Sequence, residues 1–191
     1  MDFKQIGPVS PAFKAVWKIY LSSFPPEERR SLAKQRKIFD DTRYSLIAAY
    51  NKGQLVGLIS SWDFDDFVFV EHLAVKARLR CRGHGTEMLK RHIEKSGRPT
   101  VLEIERPDTK IAKRRIHFYD RIGFKVNEYD YSHPPYGKGK KGASLHLMSY
   151  PGQLTDAEYD MIKSTLLCFV YEGQDSCTMF KNKCIAVQPA E

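Results

Sequence analysis

The run FVFVEHLAV at residues 67–75 is apolar at successive positions, and the residues after it leave few ways to continue the chain. Arg80, Cys81, Arg82, Gly83, His84 and Gly85 come next, then Met88, Leu89, His92 and Ile93 at helical spacing. A strand apolar on both faces is usually central in a covered sheet. Glycine allows backbone geometry and close approach that a Cβ forbids. A helix N-terminus presents unpaired N–H groups and partial positive charge. Strand, glycine turn and helix start, in that order, make an anion seat, and phosphate is the expected anion. Regular alternation along the strand predicts Phe69, Glu71, Leu73 and Val75 on one face and Val70, His72 and Ala74 on the other.

The flanking sequence supplies the rest of an α/β chain with a mixed sheet. FKQI reads as a short first strand, and Phe13, Val16, Trp17 and Tyr20 mark an amphipathic helix over 11–23. Pro25 and Pro26 break it and start a second helix, EERRSLAKQRKIF. YSLIAAY and LVGLISSW form a hairpin around NKGQ. After the glycine turn come a helix over 83–96, the strand TVLEIE, and a helix over 109–122 closed by Gly123. FKVNEYDY and ASLHLMSY are two strands around the basic loop SHPPYGKGKKG. Thr155 and Glu158 have capping-box spacing at the head of a last helix.

Composition narrows the partners. The formal charge of +8 favours anionic ones, a nucleotide-like cofactor before nucleic acid, since RNA-binding and zinc-finger signatures and aromatic–basic platforms are missing. No apolar run approaches the roughly 20 residues of a membrane span, and the start MDFKQIGPVS has no signal-peptide core. Cys81, Cys168, Cys177 and Cys184 form no CxxC and read as reduced thiols, so a cytoplasmic protein is expected. No metal site is expected: His84 and His92 have no carboxylate or cysteine at ligand spacing.

Several phosphate motifs compete for the turn. The dinucleotide fingerprint fails because Met88 stands where a third glycine is needed. A P-loop around Gly137 and Gly142 fails because Ala143 takes the lysine position and the loop lies between strands. The pattern that fits is R/Q-x-x-G-x-G/A, met by Arg80-Cys81-Arg82-Gly83-His84-Gly85 directly after EHLAV. A second stretch, His117-Phe118-Tyr119-Asp120-Arg121-Ile122-Gly123-Phe124, contains FYxxxGF at the end of the later helix. On these two stretches the sequence resembles the GNAT acyltransferase superfamily.

The resemblance implies a mostly antiparallel central sheet flanked by helices, with splayed central strands, in one domain over residues 1–173. Residues 174–191 are expected to be a peripheral or mobile tail. It implies an N-acyltransferase moving an acetyl or similar acyl group from acetyl-CoA directly to an amine on a small molecule or protein. The alternative is a catalytically silent acyl-CoA sensor on the same fold. Oligomeric state and acceptor identity stay open. The implied cofactor contacts are Leu73, Ala74 and Val75 for the acyl and pantetheine part, and Arg80, Cys81, Arg82, Gly83, His84, Gly85 and Thr86 for the pyrophosphate. Ala112 and Arg115 stand where the family often has Asn and Ala, so Arg115 is the expected substitute for an amide contact. Tyr119 is implied as the acid for the leaving thiolate.

The chemistry needs a neutral amine, an oxyanion donor and help for the thiolate. Glu71 interrupts an apolar face, where a carboxylate must be paired or used. It is therefore either the general base or the partner of an arginine from the second helical segment. His72 reads as a satisfied core histidine. Glu103 and Glu105 are candidates for binding a cationic amine or a salt-bridge partner. Tyr129, Tyr131 and Tyr136 are candidates for the acceptor pocket, and Lys138, Lys140 and Lys141 for its border.

Overall fold

The computed structural model describes residues 1–134 and 142–171. Tyr136, Lys138, Lys140, Lys141 and the tail over 174–191 lie outside the described residues. Seven strands form one sheet in the order β1-β2-β3-β4-β5-β7-β6. They are β1 (Asp2–Gln5), β2 (Tyr44–Asn51), β3 (Gln54–Asp63), β4 (Val68–Val75), β5 (Thr100–Glu105), β6 (Lys125–His133) and β7 (Ala143–Tyr150). Every adjacent pair is antiparallel except β4 with β5. The helices are α1 (Phe13–Ser23), α2 (Leu32–Lys37), α3 (His84–Ser96), α4 (Lys110–Asp120) and α5 (Asp156–Phe169).

Two cores lie on opposite faces of the sheet. Val16, Ile19 and Tyr20 of α1 and Tyr159, Ile162 and Leu166 of α5 pack with Leu58, Phe69 and Val101. Met88, Leu89 and Ile93 of α3 pack with Ile59, Val70 and Leu102, joined by Ile116, Phe118 and Tyr119 of α4. Adjacent residues of one strand feed different cores, as the period of two requires. Each fully buried apolar side chain contributes roughly 1.5–3 kcal/mol. The caps follow sequence chemistry: Thr155 and Glu158 form a reciprocal capping box, and the Thr109 hydroxyl accepts from the Ala112 N–H at 3.0 Å.

Two expectations are corrected. The second helical segment is not continuous: a 3-10 turn at Pro26–Glu28 precedes an extended Arg29–Ser31, and α2 is short. The break delivers Arg30 to the core. Its N–H donates to the Tyr20 hydroxyl at 2.9 Å, its guanidinium pairs with Glu71, and Ser31 caps α2. The facing of β4 is also not regular. Ser60 pairs with His72 but Ser61 with Val70, so Glu71 is an extra residue in a bulge. Glu71 therefore does not share a face with Leu73 and Val75. It turns with His72 toward the α1 side, where its partners are Arg30 and Trp62 and those of His72 are the Tyr20 and Phe24 rings.

Gly57 of β3 shows how tightly β3, β4 and α3 meet. A Cβ there would fall inside contact distance of the Ala74 carbonyl oxygen and 3.1 Å from the Met88 Sδ. The methionine can move; a strand carbonyl cannot. Gly57→Ala is expected to destabilise the fold by roughly 1–3 kcal/mol, the usual range for overpacking. A thermal melt indistinguishable from wild type would contradict this packing.

Candidate active site

β4 and β5 pair only at Val68–Thr100, Phe69–Val101 and Val70–Leu102. Beyond Val70 the bulge turns β4 away, and the two strands part. β4 stays bonded to β3 on its other edge as far as Val75. The Lys76 N–H donates to Val56 O on that β3 side at 2.9 Å. Peptide groups alternate along a strand, so the N–H and C=O groups of Leu73 and Val75 face the opening, and Ala74 faces β3. Glu71 adds a sign of access. Its side chain has 0% exposure while the residue as a whole is half-buried, so the exposed part is main chain.

The fork leads straight into the glycine turn. After Val75 the chain makes a 3-10 turn at Ala77–Leu79, anchored by buried Leu79, and the Arg80 Nε returns to Val75 O at 3.0 Å. Cys81 at φ 59° and Gly83 at φ 79° are both left-handed. Gly83 is the N-cap of α3 and offers no side-chain bond, so the first-turn N–H groups, from His84, Gly85 and Thr86, lack a side-chain cap. At Gly85 a Cβ would lie 3.4 Å from the Phe118 ring and 3.6 Å from Val75. The end of β4, the start of α3 and the middle of α4 therefore converge on the turn.

The two arginines of α4 part company there. Arg115, the residue expected at the cofactor, forms an ion pair with Glu105. Arg114 points to the turn, its Nη2 3.2 Å from the Cys81 Sγ. The four-residue rule shows why: Arg114 shares a helix face with Phe118, which packs on Gly85.

Tyr119, from the FYxxxGF stretch, lies against Phe118 and Phe124, with ring centroids 5.0 and 5.9 Å away. Its hydroxyl has no hydrogen-bond partner among the described residues. Burial pushes its pKa up to about 12, with Arg115 opposing and Glu105 adding to the shift.

On the α1 face, Glu71 is satisfied at both carboxylate oxygens. Arg30 Nη1 pairs with Oε1, and Trp62 Nε1 donates to Oε2 at 2.9 Å. Burial alone would raise its pKa, but Arg30, His72 and the Trp62 bond outweigh it and hold the carboxyl below the usual range. Arg30 Nη2 also donates to Val170 O at 3.1 Å, tying the end of α5 to the bulge. His72 is buried, with Ser60 Oγ 3.2 Å from Nδ1 and Glu28 O 3.1 Å from Nε2. Burial lowers its pKa, with Glu71 opposing the shift.

Glu103 and Glu105, expected together, have separate partners. Glu105 pairs with Arg115, whereas Glu103 accepts from the Tyr131 and Tyr171 hydroxyls, the second at 2.6 Å. Tyr129 is elsewhere, stacked on Tyr159 of α5 with centroids 4.0 Å apart, because an irregular stretch of β6 between Asn127 and Tyr131 releases it. Among the described residues no group of three or more His, Cys, Asp or Glu is arranged to hold a metal ion, and no helix is long and apolar enough to cross a membrane.

Comparison with known proteins places the chain in a family. The model of the acetyltransferase (GNAT) family matches residues 12–124. A solved structure from Bacteroides thetaiotaomicron, assigned to the GNAT family of acetyltransferases, is 35% identical over 91% of this chain and 100% of its own, with a TM-score of 0.86. An aminoglycoside 6'-N-acetyltransferase complexed with coenzyme A shares the fold at 16% identity, covering 82% of this chain and 100% of its own, with a TM-score of 0.54. A GNAT-family acetyltransferase from Elizabethkingia anophelis with acetyl-CoA bound does so at 14% identity, 78% and 95% coverage and a TM-score of 0.53. No curated protein matches the sequence.

Proposed function

The chain belongs to the GNAT acetyltransferase family, and from that premise we propose that it transfers an acetyl group from acetyl-CoA directly to an amine acceptor. The observation that carries the proposal is the fork between β4 and β5, which runs without interruption into the uncapped start of α3. Its parts suit the parts of the donor in order. Main-chain groups of Leu73 and Val75 face the opening where the amides of the pantetheine arm would pair, the Val75 carbonyl also accepting from Arg80 Nε, with Ala74 between them shaping the wall. The turn from Arg80 through Cys81, Arg82, Gly83, His84 and Gly85 to Thr86 takes the pyrophosphate on backbone N–H groups. Arg114 stands over that turn as an additional cation, and Arg115 acts mainly by orienting Glu105.

In the chemical step, the acceptor nitrogen attacks the thioester carbonyl at the fork. The developing oxyanion is stabilised by the β4 main-chain N–H groups turned into the opening. The proton shed by the attacking nitrogen leaves to water, and the Tyr119 hydroxyl hydrogen-bonds to the departing sulfur. With its pKa at about 12 it remains protonated far into alkaline pH. A thiol is more acidic, near ~8.5, so Tyr119 works by sharing its proton through a hydrogen bond as charge builds on sulfur. Glu71, with both oxygens occupied by Arg30 and Trp62, is better suited to fixing the bulge than to abstracting a proton.

The test begins with the wild-type chain, acetyl-CoA and a panel of primary amines, with release of the CoA thiol as the readout. Turnover of at least one amine is expected; saturable donor binding without transfer to any of them would replace this reading by a sensor. Tyr119→Phe is then expected to lower kcat on the order of 10²-fold while leaving the acetyl-CoA affinity in place. An unchanged kcat across pH would remove Tyr119 from the mechanism.

A further inference from the structure

The surface around the glycine turn carries more positive charge than a pyrophosphate needs. Arg78, Arg80 and Arg82 on the turn and Lys110, Lys113 and Arg114 on α4 are all exposed. Among the described residues none of these six forms an ion pair. The neighbouring carboxylates are engaged elsewhere: Glu87 with Arg91, Glu105 with Arg115 and Asp120 with Lys125. Asp108, exposed just before α4, is the exception. The contact of Arg114 with Cys81 at 3.2 Å joins the two groups of cations into one surface. Lys113 and Arg114 follow Lys110 by three and four positions, so the three share the exposed side of α4. Beside them stands Ile111, 66% exposed. It precedes Arg114 by three positions and Arg115 by four, so it overhangs the gap between the turn, which Arg114 reaches, and β5, where Arg115 holds Glu105. That gap is the mouth of the fork. An exposed apolar side chain with a rim of cations fits a protein with an acidic, partly apolar face.

We propose that this surface docks an acidic carrier protein whose acyl group rides on a phosphopantetheine arm, and that such a carrier is a second acyl donor. The inference rests on the acyl-transfer reading and adds a donor to it. The arm on a carrier protein has the same amides and the same thioester as the arm of acetyl-CoA, so the fork receives both alike. What differs lies beyond the phosphate: a nucleotide in one case, a protein in the other. The phosphodiester of the arm takes the start of α3, the acidic face of the carrier lies on the six cations, and Ile111 makes the apolar contact at the mouth. The acceptor nitrogen forms the N–C bond and the C–S bond breaks toward sulfur. The nitrogen's proton leaves to water, and the sulfur ends as the thiol of the carrier's arm. Amide and free carrier are the only products, and no electron transfer is involved. A nucleic acid would meet the same cations but leave Ile111 without a use.

The experiment uses the full chain, the amine panel, and two donors: acetyl-CoA and an acyl carrier protein loaded with acetyl-phosphopantetheine. Discharge of the carrier is followed by its intact mass. Wild type is expected to discharge it, with kcat/KM falling about tenfold between ~50 and ~300 mM salt. The double variant Lys110→Glu/Lys113→Glu and, separately, Ile111→Asp are each expected to lower kcat/KM for the carrier by at least ~10-fold while keeping kcat/KM for acetyl-CoA within about threefold. If wild type uses acetyl-CoA and leaves the loaded carrier intact, the carrier proposal is wrong and the acyltransferase reading stands. If the charge reversal weakens both donors equally, the cations serve the nucleotide and the proposal falls. If the charge reversal weakens the carrier and Ile111→Asp does not, the surface is a general polyanion binder and the proposal falls as well. If no amine in the panel is acetylated from either donor, both readings fall.

Discussion

Replacing Arg82 by glutamate and Gly83 by aspartate is expected to abolish acetyl-CoA binding in a calorimetric titration and leave the thermal melt nearly unchanged. The second half of that statement comes from the space around the turn. A Cβ at Gly83 meets nothing within 4 Å, and Arg82 is exposed. Gly83 is left-handed at φ 79°, a region that aspartate tolerates better than most residues, so the backbone penalty is about 1 kcal/mol. The first half comes from electrostatics. The double variant places two carboxylates against the helix start that is to receive a pyrophosphate. Like charges brought together cost several kcal/mol, which corresponds to roughly 10³-fold in affinity. Desulfo-CoA should bind wild type and fail on the variant in the same way, because the contacts concern phosphate and not sulfur. Retained affinity in the variant would mean that the donor does not sit on the turn.

Arg30→Ala carries the largest expected effect on stability. The substitution leaves the Glu71 carboxylate buried with the Trp62 N–H but without its counter-charge. Removing one partner of a buried pair typically costs roughly 3–5 kcal/mol. For a domain of this size each kcal/mol moves Tm by about 2–4 °C, so the melt should fall by at least ~6 °C. The pH dependence separates this cause from simple loss of packing. In wild type the Glu71 pKa is lowered, so its contribution is fully present above the ordinary glutamate pKa of ~4.3 and is lost as pH falls through the folded value. In the variant, burial is no longer opposed by Arg30 and raises the folded pKa instead. The variant therefore loses stability as pH rises through that raised value, and its deficit should be smaller at pH ~5 than at pH ~7.5. A deficit that does not change with pH would point to lost contacts of the Arg30 stem alone. Adding Glu71→Gln to Arg30→Ala should recover part of the loss, since no buried charge then remains.

Much of the turn and the elements that meet at it was legible in the sequence, because it is local. The glycine turn, its preceding strand and the FYxxxGF helix each occupy a short contiguous stretch, and helix and strand periods place their faces. The contacts on the α1 face were not, for a physical reason in each case. The extra residue at Glu71 shows only in the pairing of β3 with β4, since EHLAV reads as a regular strand in isolation. Arg30 sits in a segment whose composition suits a helix, yet its bonds to Tyr20, Glu71 and Val170 hold it extended. Tyr171 reaches Glu103 only because α5 brings its far end back over β5. One local rule places the arginines of α4: four residues before Phe118, which packs on Gly85, is Arg114.

The narrow contact between β4 and β5 has a mechanical meaning. Strands β1 to β4 make one plate, and β5, β7 and β6 make another, and a seam three residues long is all the ladder between them. Such a joint has fewer ladder hydrogen bonds than the two plates it connects, and side-chain packing on both faces carries the rest of the contact. Arg30 acts as a stay across it, fastened to the β4 bulge at one end and to the C-terminal end of α5 at the other. A chain of amide groups laid along the open edge would work as a splint across the wedge.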